Sequence, residues 1–317
     1  SLRYMESISR VSKSVRAFQY FQIYLWGILL FTVAVIISGD IVQATESGAG
    51  CGDSWPKCDG TLIPAFADVH VAIEFIHRML TSVLSFGYLG LLIGGYLLFG
   101  RKHPVWRSIL FSTAILLVEI LLGASLVLFG WVEDNATWGR VIADSFHVVN
   151  TLVLLGSLVL IIFLSRPDGG IFVTKPNPKR RYLIFAMLIV ILITVTGTIN
   201  SLADTLYLSD HVVVEETPIA QLLVSVRAIH PLIAIIGGFA IIGLLYLVIE
   251  EPSAQKSALG FAVFGVIFLQ FLSGVFNIVL LTPVETQIIH LGLADTLWIL
   301  LVFFSLYNWR KVPHNFT

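Results

Sequence analysis

The chain has 317 residues, of which 57% are hydrophobic and 12% are charged. Soluble domains carry about 25% charged residues, so this composition excludes a soluble globular enzyme, a disordered chain and a nucleic-acid-binding protein. Two cysteines are too few for a disulfide-rich scaffold or a four-cysteine zinc site. The composition is typical of a polytopic membrane protein.

Apolar runs long enough to cross a bilayer, about 20 residues each, recur along the chain. They lack the alternating pattern of about ten residues that marks the strands of a membrane β-barrel. The sequence therefore predicts an all-α membrane protein with eight transmembrane helices. The runs lie near 21–43, 70–99, 105–130, 139–164, 182–202, 219–249, 257–281 and 285–307.

The basic residues predict the orientation of these spans. Most of the 19 Lys and Arg residues fall in segments on one side of the membrane, and the loops on the other side hold Lys57 and Arg140 among many acidic residues. Basic loops are retained in the cytoplasm. We therefore expect both termini to be cytoplasmic, in a multi-pass protein of the cell membrane.

Cys51 and Cys58 fall in the first outer loop, on the side of the membrane where disulfides form. Three interpretations stay open from the spacing of these residues. The pair is a structural staple for the loop, a redox-active pair that exchanges electrons with a buried centre, or two free thiols.

Four histidines lie inside predicted spans, one in each even-numbered span: His77, His147, His230 and His290. Each lies within about the first dozen residues of its span, and at about 1.5 Å per residue this places all four in the outer half of the bilayer. A single buried histidine is usually a hydrogen-bonded structural residue. Four at matching depth favour a metal or cofactor site, because ionisable groups inside a membrane are costly.

Segments in the first half of the chain resemble segments in the second half. The segment VIISGDIVQATES (35–47) matches ITVTGTINSLADT (193–205), which aligns Gly39 with Gly197. Likewise LVEILLGASLV (117–127) matches FLQFLSGVFNI (268–278), which aligns Glu119 with Gln270. We predict two four-helix bundles related by a parallel repeat, residues 1–165 and 166–317.

Each predicted half then holds two histidines, which can act as the two axial ligands of one haem iron. We expect His77 to pair with His147, and His230 with His290. Zinc is a poorer fit because no cysteine shares these faces. A mixed carboxylate–histidine metal site, through Glu74-x-x-His77 and Asp144-x-x-His147, stays open.

Two arginines and one carboxylate complete the candidate sites. Arg78 and Arg227 are permanent planar cations that suit haem propionates, although pairing with Glu74 or a backbone carbonyl is the alternative. Glu74 precedes His77 by three residues, and the matching place before His230 holds Arg227. This difference predicts a chemical role for the first half and a stable cofactor site in the second.

The segments SGAGCGDSWPKCDG (47–60) and IEFIHR (73–78), with single histidines in the later even-numbered spans, resemble the haem A synthase family. The resemblance implies oxidation of the C8 methyl group of haem O to a formyl group, by successive hydroxylations, to give haem A for cytochrome oxidases. It implies that haem O binds near His77, His147 and Arg78 in the N-terminal half. It also implies one haem b cofactor in the C-terminal half, held by His230 and His290.

Within this resemblance Glu74 matches the family's catalytic carboxylate, and Cys51 with Cys58 matches its first-loop disulfide. The chain departs from the family at Glu119, where glutamine is common, and at His230, which Pro231 follows instead of arginine. The expected partners are haem O, the lipid bilayer, an unidentified electron acceptor, a haem O synthase and a second copy of the chain. The competing functions are a two-haem electron-relaying cytochrome and a haem transporter or chaperone.

Overall fold

A computed structural model describes residues 2–66, 68–133, 135–166, 178–207, 218–249 and 254–309. Across these residues the chain forms eight α-helices, each long and apolar enough to cross a membrane. This confirms the predicted all-α membrane fold. The helices are α1 (Leu2–Ala44), α2 (Val69–Phe99), α3 (Pro104–Leu128), α4 (Trp138–Leu164), α5 (Pro178–Tyr207), α6 (Pro218–Tyr246), α7 (Ala254–Val279) and α8 (Val284–Trp309).

Two helices extend well beyond the apolar runs that predicted them. Helix α1 begins at Leu2 rather than near residue 21, and α5 continues to Tyr207 rather than ending near residue 202. The first 26 residues contain neither proline nor glycine, so nothing in them breaks a helix. Hydropathy marks the part of a helix that lies in lipid, whereas helix-breaking residues mark where it ends.

The helix starts follow local capping rules. The carboxylate of Asp68 accepts a hydrogen bond from the backbone N–H of His70 at 3.0 Å, which caps α2. Thr137 caps α4 in the same way through its hydroxyl group. Pro104 occupies the first turn of α3, where no backbone N–H is needed.

Four helices form the centre of the molecule. Neighbours in sequence pack in pairs, α1 with α2, α3 with α4, α5 with α6 and α7 with α8, and helices α1, α4, α5 and α8 also pack across the predicted halves. The indole N–H of Trp298 on α8 donates to the carbonyl of Leu152 on α4 at 2.6 Å. Trp26 on α1 stacks on Phe303 of α8 with ring centroids 5.5 Å apart. The two halves therefore share one core.

Helices α2, α3, α6 and α7 lie at the periphery and carry large exposed apolar side chains. Phe86 on α2 and Phe261 on α7 are each 74% exposed. An apolar surface of this extent would favour aggregation in water, but it is the surface that a lipid bilayer requires. The cytoplasmic termini and the parallel repeat stay predictions.

Candidate haem-binding sites

A cavity of about 570 Å³ lies among α1, α2, α3 and α4, within the range of small-molecule sites. His77 of α2 and His147 of α4 both line it, as do Glu74 and Arg78. The structure thus brings together four residues that the sequence placed in the N-terminal site.

The wall of this cavity is not confined to the first half. Trp55 of the cysteine-containing loop and Trp131 of the α3–α4 loop line the end where that loop lies. Thr198 of α5 and Ala294 and Asp295 of α8 line it as well. Residues from the second half therefore contribute directly to the N-terminal site.

His77 is held by a serine–glycine pair on α1. The hydroxyl of Ser38 donates to the carbonyl of Val35 at 2.6 Å, and its oxygen lies 2.8 Å from Nδ1 of His77. With the hydroxyl hydrogen directed at Val35, that oxygen accepts from an Nδ1–H group of the ring, and this tautomer leaves Nε2 free to bind a metal. A Cβ atom at Gly39 would lie 3.0 Å from Cε1 of the ring, so glycine makes room for the imidazole.

His230 is held in the same way in the second half. The hydroxyl of Thr196 donates to the carbonyl of Ile193 at 2.9 Å and lies 3.1 Å from Nδ1 of His230. A Cβ atom at Gly197 would again lie 3.0 Å from Cε1 of the ring and 3.5 Å from Nε2. The aligned glycines thus have the same contacts in both halves.

The second histidine of the C-terminal half follows this pattern, too. Ser273 donates to the carbonyl of Gln270 at 3.0 Å and lies 2.8 Å from Nδ1 of His290. A Cβ atom at Gly274 would lie 3.4 Å from Cε1 of the ring.

His147 differs from the other three histidines. No hydroxyl residue precedes Gly123, the glycine beside its ring, because position 122 is a leucine. The carboxylate oxygen Oε1 of Glu119 lies 3.3 Å from Nδ1 of His147 instead. A carboxylate therefore stands where the other rings have a neutral hydroxyl.

These four rings fit axial ligation of haem iron. In His77, His230 and His290 a hydroxyl oxygen beside Nδ1 orients the ring and leaves Nε2 as the ligand atom. Nε2 of His290 also lies 3.3 Å from the amide nitrogen of Gln270, which must move aside for an iron to bind there. In the described part of the chain, no three His, Cys, Asp or Glu side chains are grouped to hold a metal ion. The alternative of a mixed carboxylate–histidine metal site therefore gains no support.

Glu74 and Arg78 hold the first outer loop on α2. The Oε2 atom of Glu74 accepts from the backbone N–H of Cys51 at 2.7 Å, and its Oε1 atom accepts from the guanidinium of Arg78. Arg78 also donates to the carbonyls of Ser54 at 2.8 Å and Lys57 at 2.7 Å. The alternative partners considered for Arg78, Glu74 and backbone carbonyls, are thus the ones it contacts.

Cys51 and Cys58 form a disulfide, with a sulfur–sulfur distance of 2.00 Å. The interpretation as free thiols is therefore wrong. Both cysteines are buried, and thiol–disulfide exchange requires access to a sulfur atom. Burial favours the structural staple over the redox-active pair.

Arg227 pairs with Asp204 of α5, with 2.6 Å between its Nε atom and the carboxylate. Asn200 donates to the same carboxylate at 2.9 Å. The guanidinium predicted to bind the cofactor therefore has a protein partner one helix away.

Sequence reasoning missed the oxygen atoms that orient the rings. Their signal was present: a Ser-Gly or Thr-Gly dipeptide occurs at 38–39, 196–197 and 273–274. It also misplaced Arg140, which was counted with an outer loop. Arg140 lies in the first turn of α4, lines the cavity, and is 6% exposed because it donates to the carbonyls of Glu133 and Asn135.

Comparison with known proteins identifies the family of the chain. The profile of a family described as cytochrome oxidase assembly protein matches residues 22–302. A protein of Thermus thermophilus named protoheme IX farnesyltransferase is 34% identical over 290 residues, which cover 89% of this chain and 47% of that protein. Heme A synthase of Lysinibacillus sphaericus is 36% identical over 96 residues, covering 30% of this chain and 31% of that protein.

Heme A synthase of Halalkalibacterium halodurans is 30% identical over 146 residues, which cover 46% of this chain and 45% of that protein. The matches thus span about half the length, or less, of the curated relatives. The family profile, in contrast, covers the described helices from α1 to α8. The chain belongs to the cytochrome oxidase assembly protein family, which is the haem A synthase family that its motifs resemble.

Proposed function

We propose that this protein is a haem A synthase, which oxidises the C8 methyl group of haem O to a formyl group by successive hydroxylations. The observation that carries the proposal is the cavity where His77 and His147 line the same space as Glu74. A ligand-transport function would need this space but no carboxylate at its edge. The heme A synthase relatives support the same activity.

The two halves have different tasks in this proposal. Haem O binds in the N-terminal half, residues 1–165, between His77 and His147. A haem b cofactor binds in the C-terminal half, residues 166–317, through Nε2 of His230 and His290. Haem b supplies one-electron redox chemistry when it is bound.

Glu74 acts at the loop end of the substrate cavity. Both of its oxygens accept hydrogen bonds, from Cys51 and from Arg78, which keeps the carboxylate fixed in direction. A fixed negative charge stabilises positive charge that develops at the carbon being oxidised. The same bonds hold the disulfide loop against α2, so the loop keeps water away from the reacting carbon.

Arg78 and Arg227 position their neighbours and bear positive charge beside the two haem sites. Arg78 orients Glu74 and the loop carbonyls. Arg227 is half-buried beside Asp204, whose carboxylate balances the positive charge of the guanidinium near the cofactor. We propose that propionate groups of the haems bind along these guanidinium groups, on the outer side of the cell membrane.

A haem O synthase is the partner that supplies the substrate. The Thermus relative is named for the farnesylation of protohaem, and the stretch that matches this chain is less than half of it. Similarity to part of a protein with that name supports close association of the two activities.

The test is extraction of haems from the purified protein, made in cells that also synthesise haem O. We expect haem b together with haem A or a hydroxylated intermediate. His77→Ala should remove the haem O products and keep haem b, whereas His230→Ala should remove haem b. Two unmodified haem b groups in the wild-type protein would instead show an electron-relaying cytochrome.

A further inference from the structure

The partner of His147 distinguishes it from the other three candidate ligands. His77, His230 and His290 each face a hydroxyl oxygen that is neutral and belongs to Ser38, Thr196 or Ser273. His147 faces the carboxylate of Glu119 at 3.3 Å.

Two neighbouring side chains donate hydrogen bonds to the carboxylate of Glu119. The side-chain amide of Asn150 donates to its Oε2 atom at 2.5 Å, and the hydroxyl of Thr151 donates to Oε1. Its side chain is 15% exposed. With donors at both oxygens, the carboxylate is held in place with Oε1 3.3 Å from Nδ1 of His147.

The aligned residue in the other half carries no charge. Gln270 lies with its amide nitrogen 3.3 Å from Nε2 of His290, while Ser273 occupies the Nδ1 side of that ring. His147 and His290 therefore both have a glycine beside the ring, but the group near Nδ1 is a carboxylate in the first half and a neutral hydroxyl in the second.

We propose that Glu119 is a positioning residue that makes His147 a stronger electron donor to the haem iron of the N-terminal site, which lowers the reduction potential of that site. The carboxylate lies 3.3 Å from Nδ1 as a charge contact rather than an aligned hydrogen bond. Its negative charge raises the basicity of the ligating ring, and a more basic axial ligand stabilises the oxidised iron. This inference rests on the proposed function, because it requires a haem in each half.

The second half would lack this effect. The rings of His230 and His290 have neutral hydroxyl partners, so the carboxylate of Glu119 would lower the potential of a haem in the first half relative to one in the second.

The experiment compares reduction potentials, measured by spectroelectrochemical titration of protein whose two sites are loaded with haem. Glu119→Gln matches the amide of the other half and should raise the potential of the N-terminal haem. The double variant Glu119→Gln with Leu122→Ser restores the hydroxyl–glycine pattern. It keeps the ring oriented and separates loss of charge from loss of orientation.

Asp53→Asn is the matched control, since Asp53 lies in the loop between α1 and α2, is exposed and is not among the residues that line the cavity, and the variant loses the same unit of charge. We expect the potential of the N-terminal haem to rise in both Glu119 variants, with the C-terminal potential unchanged and Asp53→Asn like wild type. An unchanged N-terminal potential, or an equal rise in Asp53→Asn, would overturn the inference.

The outcome also separates this inference from the proposed function. If wild-type protein makes haem A while the Glu119 variants keep the wild-type potentials, the function stands and the role of Glu119 is wrong. If the N-terminal half takes up no haem in wild-type protein, both are wrong.

Discussion

Gly197→Ala should weaken binding of haem b in the C-terminal half. The added methyl group would lie 3.0 Å from Cε1, 3.5 Å from Nε2 and 3.7 Å from Nδ1 of His230. Ordinary van der Waals contact begins at 3.4 Å, so the ring must move by a few tenths of an ångström. Thr196 restrains Nδ1 at 3.1 Å, and the ring cannot move without straining that bond.

The magnitude follows from how strictly a metal ligand is placed. Metal–ligand distances in proteins hold to within about 0.2 Å, and disturbing the groups that orient a ligating histidine typically costs about 10- to 100-fold in affinity. We expect a loss of haem b affinity in that range. The stability of helix α5 should not fall, because alanine is favoured over glycine in a helix by about 1 kcal/mol.

The assay is haem b absorbance per protein during transfer of haem to an excess of an acceptor protein. Gly243→Ala on α6 is the matched control, since nothing lies within 4 Å of a Cβ atom there. It should bind haem b like wild type. Wild-type affinity in Gly197→Ala would refute the inference that this glycine makes room for an iron ligand.

Three further changes test other parts of the structure. Replacing both Cys51 and Cys58 with serine should lower the free energy of unfolding by about 2 kcal/mol, as expected for a short closed loop, but should preserve turnover at low temperature. A variant that is folded and pigmented but inactive would instead show that the disulfide has a redox function. The Glu74→Gln variant should fold, keep haem b and take up haem O, but chromatography of its extracted haems should show that oxidation stops before the formyl group forms. A near-normal amount of haem A would mean that Glu74 serves only as a partner of Arg78. Asp295→Leu should raise the free energy of unfolding by about 1–2 kcal/mol, because Oδ2 of this 7% exposed residue has no hydrogen-bond partner among the described residues. Thr296→Val on the exposed face should change it little, and a lower melting temperature for the leucine variant would argue against an unpaired Oδ2.

The spans could be predicted from the sequence because lipid imposes one simple requirement, a continuous apolar run. Matching depth of the histidines followed from counting residues along helices of fixed rise. Both are properties of single helices, and neither depends on how the helices pack.

The sequence could not decide between a haem propionate and protein groups as the partner of Arg78, because its carbonyl contacts depend on the path of a loop. Its carbonyl partners, in Ser54 and Lys57, lie more than 20 residues earlier in the sequence. Nothing in the local pattern around IEFIHR distinguishes a guanidinium that binds a ligand from one that holds a loop. The Asp204–Arg227 pair likewise joins two helices whose relative rotation the sequence does not specify.

The shared wall of the N-terminal cavity limits how independently the two halves can evolve. The predicted boundary at residues 165–166 separates two segments of similar pattern, but Ala294 and Asp295 of α8, which lie beyond it, line the cavity among α1, α2, α3 and α4. A substitution near Ala294 would therefore alter this cavity as well as the second site predicted around His290 on the same helix. Divergence after a duplication would then accumulate fastest on the lipid-facing helices and slowest on the four central ones, and neither half would be autonomous.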